Sequence, residues 1–271
     1  MCLSLYTHRR LSLTSTRLLI SSRDKYHRRG HRDTIIVIPE GLEVVTSTDV
    51  IYWFHGLTGF KEKTFKTRLG PQYSWLVNEQ MFPAILVITE MPWSWFTKTR
   101  WKRQGKVFRK SDQFHSYTKE IESIIISHLG ADRDIRFDRV IIGHSAGGSA
   151  IASAAKSGGL CKSKPVGGVF SDSTYGNWFN KAWRGCLKKY SSTSQVRIIV
   201  LGQSFGSPWK RYSQWQKKNM MSSRRIEAHR LPLPWTHGRI GNNVIPFVYY
   251  GFPGNKYRDI FLPISARLHE D

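Results

Sequence analysis

One stretch, residues 138 to 155, constrains this chain more than any other. It opens with Asp138 and Arg139, and then an apolar, β-branched run (Val140, Ile141, Ile142) reads as a buried strand. The run breaks at Gly143. Beyond Gly147 and Gly148, the small residues Ser149 to Ala155 suit a helix packed closely on a sheet. Between them, Gly143-His144-Ser145-Ala146-Gly147 fits G-x-S-x-G, a sharp strand–turn–helix elbow that lifts a serine hydroxyl to the top of a sheet. The turn is strained, and small flanking residues let strand and helix approach. The helix start then aims backbone N–H groups at a place where negative charge could develop. Ser145 is therefore a candidate nucleophile, with the Ala146 N–H as a candidate oxyanion donor.

The rest of the chain must build a sheet around that elbow. Strands are expected at Thr34–Pro39, Asp49–Phe54, Ala84–Thr89, Phe137–Ile142, Val166–Phe170, Val196–Leu201 and Ile226–Leu231. Helical segments are expected at Phe65–Met81, interrupted by Gly70-Pro71, and at Ser116–Leu129 and Ser213–Ser222, with another starting near Asn242. This alternation predicts βαβ units and a mostly parallel sheet. With 271 residues, 40% hydrophobic and 13% aromatic, one large α/β domain over 34–271 is expected. Residues 1–33, rich in arginine, read as a basic arm with one strand near Leu18–Ser21, either binding a polyanion or simply frayed.

The formal net charge of +23 suggests an anionic partner: nucleic acid, an anionic membrane face or an anionic polymer. Basic composition without a partner is the plain alternative. Three cysteines (Cys2, Cys161, Cys186) without a spaced pattern speak against a disulfide framework and a zinc site. They favour a reducing, cytoplasmic setting. The longest unbroken apolar run near the start, Leu18-Leu19-Ile20, is too short for a signal peptide core, and no stretch reaches membrane-spanning length.

A serine nucleophile needs a base, and the base needs a carboxylate to orient it. Between Ser145 and His237 the acidic residues are Asp172 and Glu227. Asp172 follows a strand, where it can reach the elbow. Glu227 lies in an arginine-rich segment, where ion pairing is expected instead. Among His229, His237 and His269, His237 sits on a Pro/Gly-framed loop able to approach Ser145. The strand ending in His55-Gly56-Leu57-Thr58-Gly59 has the form of an oxyanion loop, with a donor from Gly56 or Leu57. The Trp-rich loop at 91–103 mixes Trp93 and Trp95 with basic residues, as a substrate contact, a lid or simple loop packing would. With His55, His144 and Tyr175, these tryptophans complete the substrate-contact candidates.

His55-Gly56, the Gly143–Gly147 elbow, Asp172 and His237, in that chain order, resemble the α/β-hydrolase superfamily over most of residues 34–250. The resemblance implies an α/β-hydrolase fold, with a mostly parallel sheet flanked by helices on both faces. It implies a serine hydrolase that cleaves an ester through an acyl-enzyme, using no metal and no organic cofactor. An amidase or peptidase would share that chemistry. A non-catalytic polyanion-binding protein on the same fold is the alternative of another class. The segment from Phe170 to Gly176 is similar to hydrolases that take their acid directly after the strand following the elbow. In the commoner pattern the acid comes one strand later, where this chain has Gln203.

Overall fold

The computed structural model describes residues 3–6, 15–23, 31–40, 42, 47–57, 65–80, 82–91, 107–130, 135–219, 226–232 and 235–250, with backbone alone before residue 34 and at residues 67 and 250. Among the described residues nine strands form one sheet: β1 (Leu3–Tyr6), β2 (Ser15–Arg23), β3 (His31–Pro39), β4 (Ser47–Phe54), β5 (Ala84–Thr89), β6 (Arg136–His144), β7 (Gly167–Ser171), β8 (Arg197–Gln203) and β9 (Ile226–Leu231). Their spatial order is β1-β2-β3-β5-β4-β6-β7-β8-β9. From β5 to β9 every pairing is parallel, whereas β1, β2 and β3 join antiparallel. This is the α/β-hydrolase architecture.

The helical segments are α1 (Gly70–Ser74) between π-helical turns Phe65–Leu69 and Trp75–Glu79, α2 (Gln113–His128), α3 (Gly148–Lys156), α4 (Gly159–Lys162), α5 (Trp178–Ala182), α6 (Lys188–Thr193), α7 (Ser207–Asn219), α8 (His237–Gly241) and α9 (Val244–Tyr250). Alternation along the strands divides the core between the two faces. On β4, Val50, Tyr52 and Phe54 pack with Phe114, Ile121 and Ile125 of α2 and with the alanines of α3. Ile51 and Trp53 face the other way, against Tyr73, Ile240, Val244 and Val248. Each such side chain buried contributes about 1.5–3 kcal/mol, so the sheet is held from both sides.

Three expectations are corrected here. The basic N-terminal arm joins the sheet as β1 and β2, and the expected boundary at residue 33 falls inside β3, whose partners run from Arg23 to Ser15. Strand pairing takes up the backbone groups despite the arginines, with Thr16, Leu18 and Ile20 opposite Ile38, Ile36 and Thr34. Second, Cys161 and Cys186 form a disulfide, with Cα atoms 6.1 Å apart. Tertiary approach of α4 to the turn Trp183–Leu187 makes that pair, which spacing in sequence could not show. Third, the chain from 177 to 195, where no element is expected, is helical through α5, a π-helical turn and α6. Trp93, Trp95 and nearly all of the loop at 91–103 lie outside the described residues.

Candidate active site

The strands that matter end level. Phe54 of β4 pairs with Gly143 of β6, His144 with Ser171 of β7, and Ser171 with Leu201 of β8. Between β4 and β6 the chain changes direction across the sheet: the segment after β4 returns as β5 on one side, and β6 lies on the other. Such a switch point opens a crevice at the carboxyl ends of the strands. Gly56 and Ser145 meet there.

Ser145 has φ of 55°, a left-handed conformation that non-glycine residues adopt at a cost of about 1–3 kcal/mol. Close packing holds it there. A Cβ on Gly147 would stand 2.0 Å from the Phe54 carbonyl oxygen, and one on Gly148 would stand 2.3 Å from that of Ser173. Both positions therefore exclude any side chain, and the helix start comes hard against β4 and the segment after β7. A Cβ on Gly56 would lie 3.3 Å from Ser145 Oγ, so the loop after β4 borders the hydroxyl directly. Leu57 follows on that loop, and Ala146 is buried within the 3₁₀ turn Ser145–Gly147.

Asp172 also has positive φ, 43°, and its side chain is 2% exposed. Its Oδ2 lies 2.6 Å from His237 Nδ1, and its Oδ1 accepts from the Gln203 N–H at 3.3 Å. Gln203, which stands where the commoner pattern has the acid, thus supports Asp172 through its backbone. Glu227 is engaged elsewhere, both its oxygens bonded to the Arg197 guanidinium at 2.6 Å. His237 is not on a loop as expected. It is the first residue of α8, because Thr236 caps that turn by accepting from the Arg239 N–H. Its side chain is 37% exposed. The Tyr175 hydroxyl shares a hydrogen bond with the Ser145 side chain; burial and the Asp172 charge push its pKa up to about 12, against that bond, so it stays protonated at neutral pH.

His55 and His144, expected among the substrate contacts, turn inward instead. His55 is 1% exposed, its Nδ1 2.7 Å from the Gly56 carbonyl oxygen, and its Nε2 accepts from the Met91 N–H. His144 stacks between Trp53 and His237, with ring centroids 6.2 and 4.5 Å away. Its Nδ1 donates to the Ser171 carbonyl and its Nε2 accepts from Arg68 Nη1 at 3.0 Å. Burial, then the proximity of His237 and of the Arg68 guanidinium, hold its pKa well below the usual histidine range, so it is the neutral ring. A buried ring that makes both hydrogen bonds internally is part of the frame. Arg68 and Gln72 are residues that sequence reasoning missed. Gln72 bonds the Arg68 and Gly241 carbonyls and the Ile245 N–H, stapling α1 to α8 and α9 behind His237. Only the Gly70-Pro71 break hinted at the distorted helix that aims them.

Among the described residues no group of three or more His, Cys, Asp or Glu is placed to hold a metal ion. The Esterase family model ("Putative esterase") matches residues 28–244. The chain belongs to that family. It is therefore an esterase, a hydrolase of the α/β-hydrolase type. No curated protein matches it. Among solved structures, the BES protein from Bacillus cereus superposes with a TM-score of 0.57 at 12% identity, over 89% of this chain and 96% of that one. The feruloyl esterase module from Clostridium thermocellum gives 0.56 at 12% identity, over 84% and 86%. The fluorophosphonate-binding serine hydrolase FphF from Staphylococcus aureus gives 0.52 at 11% identity, over 85% and 96%. At such identities the likeness shows the fold, and this esterase's chemistry must be argued from its own residues.

Proposed function

We propose that this esterase cleaves its ester through an acyl-enzyme on Ser145, with His237 as the base and Asp172 as its orienting carboxylate. The observation that carries this reading is the His237 Nδ1–Asp172 Oδ2 contact at 2.6 Å, between the segment after β7 and the first residue of α8. An Nδ1–H donated to Asp172 leaves the lone pair on Nε2, the nitrogen that must take the serine proton. Ser145 Oγ then attacks the carbonyl carbon. The tetrahedral intermediate collapses as His237 protonates the departing alkoxide, and water repeats the sequence to release the acid and restore Ser145.

The oxyanion falls to the Ala146 N–H and one N–H of the loop after β4. Of Gly56 and Leu57 we favour Leu57. His55 draws the Gly56 carbonyl toward its own ring, and in a trans peptide the next N–H points the opposite way. A donor of this kind contributes about 3–4 kcal/mol to the transition state. Tyr175, bonded to the serine, sits where a substrate must displace or share that contact. The Cys161–Cys186 pair favours an oxidising compartment over the reducing one suggested by the cysteine count.

The test is labelling by a fluorophosphonate probe, with turnover of 4-nitrophenyl acetate alongside. Wild type should label and turn over; Ser145→Ala and His237→Ala should do neither while keeping the wild-type circular dichroism. Labelling that persists in Ser145→Ala would overturn the assignment.

A further inference from the structure

A second cavity lies beside the site and takes no part in the steps above. Its volume is about 840 Å³, and it runs between the segment Trp178–Leu187 and α7. Trp183 and Trp215 line it together with Arg184, Lys188, Arg211 and Lys218. No carboxylate is among the lining residues. From Ser173 to Ile226 the chain contains eleven Lys and Arg and not one Asp or Glu. Among the described residues, none of the four lining cations is paired with an acid. All four are exposed.

A solvated basic face would account for the charges alone, but not for the walls. The Trp215 Nε1–H donates to Asn180 Oδ1 at 3.1 Å, and the ring packs edge-on against Phe179 at 4.7 Å and Trp183 at 5.8 Å. The aromatic wall is thus fixed in place before anything binds. With Asn177, Asn180, Gln214 and Asn219 completing the lining, that wall gathers like charges in one cleft, where their field is focused. At one end the lining includes Thr174 and Gly176, the neighbours of Tyr175, and Thr174 Oγ1 bonds the Pro208 carbonyl at the start of α7. The cleft therefore opens from the very loop that carries Asp172.

From this geometry we propose that the cleft binds an anionic chain, bearing carboxylates or phosphates, that forms part of the ester's acyl or alcohol portion. Its role as a substrate subsite rests on the Ser145 mechanism; its affinity for anions does not. The cations hold the oxyanions and the fixed aromatic wall packs the intervening chain.

Binding is measured by titration calorimetry on the full chain carrying Ser145→Ala, so that turnover plays no part. Oligoaspartate and tripolyphosphate are the probes for the carboxylate and phosphate sources, with oligoglycine as the neutral control. At least one anion should bind, and Arg184→Gln/Arg211→Gln should weaken it tenfold or more. Arg109→Gln/Lys110→Gln, an equal charge change at exposed residues outside the cleft lining, should change it by less than twofold. Equal weakening by both pairs would show non-specific attraction to a +23 protein and overturn the proposal, as would no binding. In the Ser145 enzyme, a 4-nitrophenyl ester of oligoaspartate or of a phosphate-bearing acid, whichever anion binds, should exceed its neutral counterpart at least tenfold in kcat/KM, and Arg184→Gln/Arg211→Gln should abolish the preference. Equal rates for the two esters would overturn the substrate role. Turnover of neither ester, with anion binding intact, would instead bring down the hydrolase mechanism and leave the anion site standing.

Discussion

The two ends of the parallel sheet handle buried charge in opposite ways. At the amino end, charged groups are closed into complete sets. Arg139 bonds both oxygens of Glu122 and the Ser163 carbonyl, Arg197 bonds both oxygens of Glu227 and the Val248 carbonyl, and Tyr249 donates to Asp49 at 2.8 Å. At the carboxyl end, Asp172 is as deeply buried, yet its partner His237 keeps a side open to the crevice and Ser145 is held at positive φ. Two carboxylates, Asp172 and Glu227, thus have opposite fates in one fold. A buried ion pair whose groups are all satisfied serves the structure, whereas one whose base keeps an exposed face is available for chemistry.

Four experiments can break or sharpen that contrast. The largest effect is expected at the carboxyl end: Asp172→Asn should lower kcat by about 10⁴, because the wrong histidine tautomer is then stabilised. Steady-state turnover checks this, and near-normal activity would remove Asp172 from its role. At the amino end Arg197→Met should leave turnover per folded molecule intact but cost about 3–5 kcal/mol in urea denaturation, since Glu227 is left buried without its cation. A large loss of kcat with unchanged stability would erase the distinction.

Away from both ends, Cys161→Ser/Cys186→Ser should lower stability by about 3 kcal/mol through the freed loop of the unfolded chain, again read from the urea midpoint. The last effect concerns pH. Burial raises the Asp49 pKa from 3.8 to about 7, against the lowering effect of the Tyr249 hydrogen bond. The unfolded chain loses this proton near pH 4 and the native one near 7. The stabilisation is complete below pH 4 and is lost as pH rises through 7. Melting temperatures of wild type should therefore fall across this window relative to Asp49→Asn; parallel curves would show that Asp49 ionises normally.

How much of this was legible without the fold differs from residue to residue. Gly147 closes the elbow motif because contact within 3 Å of Phe54 on β4 leaves no room for a side chain, and Gly148 after it is held to the same limit by Ser173, beyond the end of β7. The strands β5 and β9 fall on the expected residues, the first as a nearly unbroken apolar run and the second with Ile226, Ala228 and Leu231 among polar residues. The helices after Gly176 also had a local signal: Phe179, Ala182, Trp183, Cys186, Leu187 and Tyr190 recur at helical spacing, obscured by the surrounding basic residues.

By itself the sequence determined the elbow, the order Ser145, Asp172, His237 and the parallel core, because each depends on short-range sterics or on residue types with few alternatives. Only tertiary structure decided the rest. It turned His55 and His144 inward, brought Arg68 and Gln72 behind His237, set Asp172 against His237 and Glu227 against Arg197, paired Cys161 with Cys186 and gathered four cations around two tryptophans. Each of those outcomes depends on which surfaces the packing of helices against the two faces of the sheet brings within hydrogen-bonding distance, and residue spacing along the chain does not encode that distance.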